Sequence, residues 1–227
     1  MSLCQPESPI SCGGCCGILN LKLSYPELKT LLDDRTQEFK TTTDWNKKYT
    51  IPNYRKSRET KEKDIQKWDE TTYNCPFLGN LSMEGKIGCM IHPIYTNDPL
   101  SQNFSFYGSS ICQGYNCKNK ERPTAGFWED VVSRIFQDSL SYTHTISDPF
   151  LIPQLESWIQ KKGKGLNEIK DSSMEFLQLV FRKRWEQTKE KGFTSFEFYD
   201  NGEAWEEFFE NCWDLSLVIL DKNKTTL

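Results

Sequence analysis

Histidine is almost missing from this 227-residue chain, which has only His92 and His144. So small a supply argues against a His-based triad or a His-rich zinc enzyme. The phosphate-binding loop G-x-x-x-x-G-K-[ST], the dinucleotide fingerprint G-x-G-x-x-G, the nucleophile elbow G-x-S-x-G and the zinc helix H-E-x-x-H do not occur either. No run comes near the ~20 apolar residues that span a bilayer. The opening residues, Met1-Ser-Leu-Cys-Gln-Pro-Glu7, lack the basic and apolar regions of a secretory leader. A cytoplasmic protein with no membrane partner is therefore expected. Basic charge is not in excess: 28 Lys and Arg face 32 Asp and Glu, for a net charge of −4. That balance leaves no electrostatic footprint for nucleic acid. Carboxylates do adjoin at Asp33-Asp34 and Glu206-Glu207. On a helix such neighbours diverge, so they do not form acid–base pairs.

Aromatic residues are plentiful, at 13% of the chain, with seven Trp and fourteen Phe. Rings of this kind carry much of a core's burial energy, and the length allows one large or two small domains. Two textures divide the chain near residue 123. The part before it, 1–123, is rich in Cys, Gly and Pro; the part after it, 124–227, is acidic and helical in pattern.

Residues 1–23 read as loop. Ser24-Tyr25-Pro26-Glu27 then forms a capping box with proline in the first turn, and Leu28, Leu31, Leu32 and Phe39 follow at helical spacing, predicting a helix over 25–40. Residues 41–54 look irregular. Residues 55–70 interleave charges of both signs, the pattern of a solvated helix or connector. Little regular structure is expected over 71–123, beyond one short strand around Ile87–Ile91. Beyond Gly126, Trp128, Val131, Val132, Ile135 and Phe136 mark a helix. Asp148-Pro149 caps another that carries Leu155 and Trp158, with Pro153 positioned to limit or bend it and Gly163 and Gly165 to end it. Ser172…Glu175 reads as a second capping box, opening a helix that Gly192 closes. A last helix is expected over 203–219, before a frayed polar tail at 221–227. On the last helix Cys212 sits on an aromatic face and reads as apolar filler. His144 reads as a surface or capping residue.

The other eight cysteines all precede residue 118: Cys4, Cys12, Cys15, Cys16, Cys75, Cys89, Cys112 and Cys117. Three readings compete. Disulfide staples fit poorly, because nine is odd and nine in 227 lies well below the ~8% Cys of stapled scaffolds. Redox catalysis at Cys12-x-x-Cys15 would require a preceding strand and a βαβ frame, which the pattern does not offer. Metal binding remains. Thiolates suit zinc and iron–sulfur clusters alike, and a glycine-rich turn lets sulfurs converge. The spacing C-x2-C is common to both kinds of centre and does not choose between them.

Four blocks stand in order: Cys12-Gly-Gly-Cys15-Cys16, Cys75-Pro-Phe-Leu78, Gly88-Cys89-Met-Ile-His92-Pro93, and a late Cys112/Cys117. Together they resemble the YkgJ-type family of zinc- or iron-chelating cysteine-cluster proteins, over roughly residues 4–117. The flagellin lysine methylases carry a similar Cys-Pro-Phe-Leu and paired-Cys arrangement. The resemblance implies a metal or cluster on Cys12, Cys15, Cys16, Cys75 and Cys89, completed by Cys112 or Cys117. This chain departs from the family pattern at three points. Pro9 stands where the family often has a further cysteine, His92-Pro93 replaces an arginine-proline, and Ile94–Ser110 is an insertion. His92 is either a nitrogen ligand or a turn residue bonded to backbone. Residues 104–108 and Tyr115 either pack rings over the centre or are ordinary loop packing.

The expected fold is mostly α with little β, its irregular cysteine-rich N-terminal half organised by metal. The expected function is thiolate coordination of an iron–sulfur cluster, or of zinc. The alternative is a cluster-dependent group-transfer or redox enzyme. A protein or a small molecule is the expected partner.

Overall fold

A computed structural model describes residues 3–6, 9–82, 85–115, 117–189 and 204–224. Among these the chain is mainly helical, with one two-stranded sheet. No helix is long and apolar enough to cross a membrane among the described residues.

Helix α1 (Tyr25–Thr42) begins where the sequence places it. The Glu27 carboxylate accepts from the Ser24 N–H at 2.7 Å, and Pro26 lies in the first turn, where no intrahelical donor is needed. Its buried stripe runs Leu28, Leu31, Leu32, Arg35, Thr36, Phe39, so one face of the 3.6-residue period goes inward. Helix α2 (Thr50–Lys61) begins inside 41–54, where 43–49 is turn and loop as read, and carries the charged segment as helix as far as Lys61. Ile51, Tyr54 and Arg58 are buried at helical spacing, a stripe too sparse in apolar residues to register as a period. Opposite charges on α1 and just past the end of α2 neutralise the buried arginine: Arg58 meets Glu38 at 3.0 Å and Glu62 at 2.8 Å.

The hairpin of β1 (Leu78–Asn80) and β2 (Ile87–Cys89) pairs Leu78 with Cys89 and Asn80 with Ile87, antiparallel. It lies against α1. Thr36 Oγ1 accepts from the Asn80 N–H at 2.7 Å, and Gly79 leaves room for Met90 and Thr36, which a Cβ there would meet at 2.6 Å. The strand expected near Ile87–Ile91 is thus present, with a partner the sequence did not reveal. Two short helices follow, α3 (Pro93–Thr96) and α4 (Gly108–Gly114).

The second half supplies the largest core. Helices α5 (Ala125–Ile135), α6 (Ser139–Ile146), α7 (Leu151–Lys161), α8 (Leu166–Ser172), α9 (Met174–Thr188) and α10 (Trp205–Lys224) pack around it. Its rings meet edge-on or tilted, as with Trp128–Phe181 at 5.8 Å and Trp158–Phe176 at 5.0 Å between centroids, the arrangement that aromatic quadrupoles favour. Cys212 is buried here, as read. Leu3 and Ile10 from the chain's start join the same core.

Several local expectations change. Asp148 does cap: its Oδ1 accepts from the N–H groups of Phe150 and Leu151, at 2.9 and 3.2 Å. Pro153 falls in the first turn of α7 and breaks nothing. The Ser172…Glu175 box does not form, because Ser172 ends α8 and its hydroxyl donates back to the Glu168 carbonyl at 2.6 Å. Helix α10 runs through Lys224 into the segment read as frayed; Gly192 and residue 203 lie outside the described residues. His144 is buried within α6, not at the surface. That helix mixes Ser and Thr among its apolar residues, so its periodicity is weak in sequence.

Candidate metal centre

The cysteine blocks are held by polar bonds from elements far away in sequence. Ser11, just before the first block, is fully buried. Its hydroxyl donates to the Ile87 carbonyl at 2.5 Å and accepts the Ile87 N–H at 2.9 Å, and its own N–H donates to Ser139 Oγ at 3.0 Å. The Gly13 N–H donates to Thr143 Oγ1 at 2.9 Å. The hydroxyl face of α6 therefore fastens the Cys12 strand to the hairpin. Next comes a 3-10 turn over Gly14–Cys16, ended by Gly17 with φ of +75°. A side chain at Gly17 would be disfavoured by that left-handed backbone and would sit 2.6 Å from the Tyr73 carbonyl. The same turn lets the Cys16 carbonyl accept the Cys75 N–H at 2.9 Å.

All eight N-terminal cysteines line one cavity of about 790 Å³. They come from the chain's start, the Gly14–Cys16 turn, the loop before β1, the end of β2, α4 and the segment before α5. No disulfide joins any of the described cysteines. Among the described residues the wall carries Lys86, Lys118 and Lys120 and no Asp or Glu. A wall of sulfur donors without carboxylates suits thiophilic metals and disfavours Mg²⁺ or Ca²⁺, which take oxygen ligands. Among the described residues no three His, Cys, Asp or Glu side chains are grouped closely enough to hold a metal ion. The thiols share a chamber but are not drawn together to metal–ligand distance.

Hydrogen bonds aim at the sulfurs. The Gly14 N–H donates to Cys12 Sγ at 3.5 Å, and the Ser147 hydroxyl lies 3.7 Å from it. Gln102 Nε2 donates to Cys89 Sγ at 3.8 Å, and Ser105 Oγ lies 3.6 Å from Cys112 Sγ. Backbone N–H groups of Phe77 and Ile91 bond Cys75 and Cys89. Three cysteines from separate segments thus each receive the amide two residues on.

The Cys16 thiol shares hydrogen bonding with those of Cys15 and Cys75. That bonding holds the Cys15 and Cys75 thiols below the ordinary value and pushes Cys16 well above it. Burial pushes Cys12 well up, with Cys4, Cys15 and Cys117 adding to the effect. Burial likewise pushes Cys89 up to about 12, reinforced by Cys75, and raises Cys112. Thiols whose environment opposes their charge are ones a cation would deprotonate on binding. The Arg35 guanidinium reaches the site's edge, donating to the Cys75 carbonyl at 3.2 Å.

Of the sequence-predicted residues, Cys12, Cys15, Cys16, Cys75, Cys89, Cys112 and Cys117 all face the cavity, joined by Cys4 and His92. His92 Nδ1 accepts the Ile94 N–H at 3.2 Å and caps α3, the turn role named for it. Tyr107 and Tyr115 line the cavity, whereas Phe106 is largely exposed. Sequence reasoning missed Ser11, Gln102, Ser105, Asn119, Thr143 and Ser147. Isolated polar residues, in loops or on a short helix, carry no periodic signal, so nothing in the pattern singles them out.

No protein-family model matches the chain, and comparison with curated proteins and with solved structures found no match.

Proposed function

We propose that this is a thiolate metal-binding protein, holding an iron–sulfur cluster in preference to zinc on thiols from the set Cys12, Cys15, Cys16, Cys75, Cys89, Cys112 and Cys117. One observation carries the reading: eight cysteines from separated segments line a single chamber whose wall, among the described residues, has no carboxylate. The adjacent Cys15 and Cys16 and the surplus over four thiols favour a cluster over one closed zinc tetrahedron. The bonds from Gly14, Phe77, Ile91 and Gln102 to sulfur are of the kind that tunes such centres. The order of the four cysteine blocks, which resembles the YkgJ-type family, supports the same reading. A bound cluster would supply one-electron chemistry or a Lewis-acid position. The protein's residues would supply the shape, the N–H···S bonds and the positive wall. A reducing compartment such as the cytosol suits these thiols.

A second reading, a cluster-dependent group-transfer or redox enzyme, is favoured by the chamber's size, which falls within the ~300–1,000 Å³ of small-molecule sites. Anaerobic purification followed by metal and sulfide analysis and a visible spectrum tests the proposal. Iron with acid-labile sulfide, and broad absorption bleached by reductant, is expected. Colourless protein with zinc selects the other metal, and protein without metal under strictly reducing conditions overturns the assignment. In Cys75→Ser, metal content should fall and residues 71–117 should become more susceptible to protease. Unchanged metal content and an unchanged digestion pattern there would count against Cys75 as a ligand.

A further inference from the structure

The eight thiols fall into two neighbourhoods, each tied together by its own chain of bonds. In the first, the Cys12 N–H donates to the Cys4 carbonyl at 2.9 Å, which lays Cys4 beside Cys12. Cys12 Sγ faces Ser147 Oγ at 3.7 Å. Residues 146 and 148, on either side of that serine, accept from Asn119 Nδ2 at 2.8 and 2.7 Å. Asn119 lies two residues past Cys117 and so brings the Cys117 segment to the same place. In the second neighbourhood the Cys75 N–H donates to the Cys16 carbonyl at 2.9 Å. Cys75 lies just before β1, and Leu78 pairs with Cys89 across the hairpin. Gln102 then donates to Cys89 Sγ at 3.8 Å, and its carbonyl accepts the Ser105 hydroxyl at 2.8 Å. Ser105 in turn faces Cys112 Sγ at 3.6 Å.

Only Cys15 remains, in the 3-10 turn before Cys16. With three residues per turn, successive side chains leave a 3-10 helix about 120° apart. Even so, the Cys15 thiol stays bonded to that of Cys16, and its charge also bears on Cys12; it lies between the two neighbourhoods, and it is the thiol left to complete the three of the first. Two sulfurs bound to one zinc stand no more than about 4.6 Å apart, since Zn–S is about 2.3 Å. A chamber of about 790 Å³ lined by eight thiols is too wide for them to share one ion. Two closed four-thiolate centres would concentrate negative charge, and three lysines on the wall, with no carboxylate there among the described residues, oppose that charge.

We infer that the chamber is built for two adjacent metal centres, one on Cys4, Cys12, Cys15 and Cys117 and the other on Cys16, Cys75, Cys89 and Cys112. This rests on the proposed thiolate function and adds its stoichiometry, its partition and Cys4 as a ligand. On loading, each thiol passes its proton to solvent as its sulfur bonds the metal, and the neighbourhoods contract locally.

The test uses reduced, metal-free full-length chain titrated anaerobically with Zn²⁺ against a competing chelator. At partial loading, unprotected thiols are trapped with N-ethylmaleimide and located by mass spectrometry. Two equivalents per chain are expected, with protection appearing in the two blocks of four. Cys117→Ser should bind one equivalent while Cys89 and Cys112 stay protected, and Cys112→Ser should bind one while Cys4 and Cys12 stay protected. The wild-type footprint decides the matter even if a variant misfolds, which circular dichroism would show. One equivalent in the wild type, or Cys4 alkylated as fast in loaded as in metal-free protein, overturns the two-centre inference and leaves a single centre standing. No high-affinity zinc, together with no iron in protein purified anaerobically, overturns both.

Discussion

Replacing Arg35 tests whether the cysteine loops depend on a buried charge network. Arg35 is 1% exposed on the inner face of α1. It donates to the Glu62 carboxylate at 2.9 and 2.5 Å and to the Cys75 carbonyl at 3.2 Å. Burial works against the guanidinium charge, but the Glu62 carboxylate outweighs that penalty, and Arg35 ends above its ordinary pKa. Burial likewise opposes the Glu62 charge, and Arg35 and Arg58 together hold it below the usual carboxylate range. In Arg35→Met the stem is kept and the charge removed. Breaking a buried pair from one side costs about 3–5 kcal/mol. Arg58 still meets Glu62 at 2.8 Å, which places the expected loss near the lower end, about 3 kcal/mol. Urea unfolding followed by tryptophan fluorescence, on reduced and chelator-treated protein so that metal does not contribute, measures it. The paired Arg35→Met/Glu62→Leu variant removes the stranded carboxylate and should recover about half of the loss or more. A single variant within about 1 kcal/mol of wild type, or a double variant no better than the single, refutes the account. Faster alkylation of Cys75 in Arg35→Met would show that the pair also positions that thiol.

Acid stability should fall in two stages. Burial pushes His144 from the ordinary 6.5 down to about 4, so between those values the unfolded chain takes up a proton that the folded chain refuses. Stability is therefore full above about pH 6.5 and declines toward pH 4, by about 3 kcal/mol; His144→Gln should flatten that slope in unfolding curves. Glu38, held down to about 2 by Lys61, Ser57 and Arg58 against the effect of burial, extends the decline. Its contribution is present above pH 4.5 and is lost as pH falls toward 2, a stage that Glu38→Gln should remove. Gly17→Ala meets both the left-handed backbone and the Tyr73 carbonyl, so a loss of at least about 2 kcal/mol with faster Cys16 alkylation is expected. A shift under about 0.5 kcal/mol would show that the turn relaxes freely.

The sequence by itself determined elements whose signal lies within a few neighbouring residues. The Ser24–Glu27 box and the Leu28–Phe39 stripe place α1, and the aromatic stripe places α5. Local sterics and the 3.6-residue period act over one or two turns and are legible without coordinates. The cysteine blocks likewise declared thiol chemistry by composition. Only the tertiary structure decided which thiols meet. Ser11 clasping Ile87 and Ser139, and Thr143 holding Gly13, depend on chain segments brought together by burial of the two halves' apolar faces. The buried Arg58, hidden in a run that reads as solvated, and Arg35 on the inner face of α1 follow the same rule. A charge goes inside only when its opposite arrives from elsewhere in the fold, and no local pattern announces that arrival.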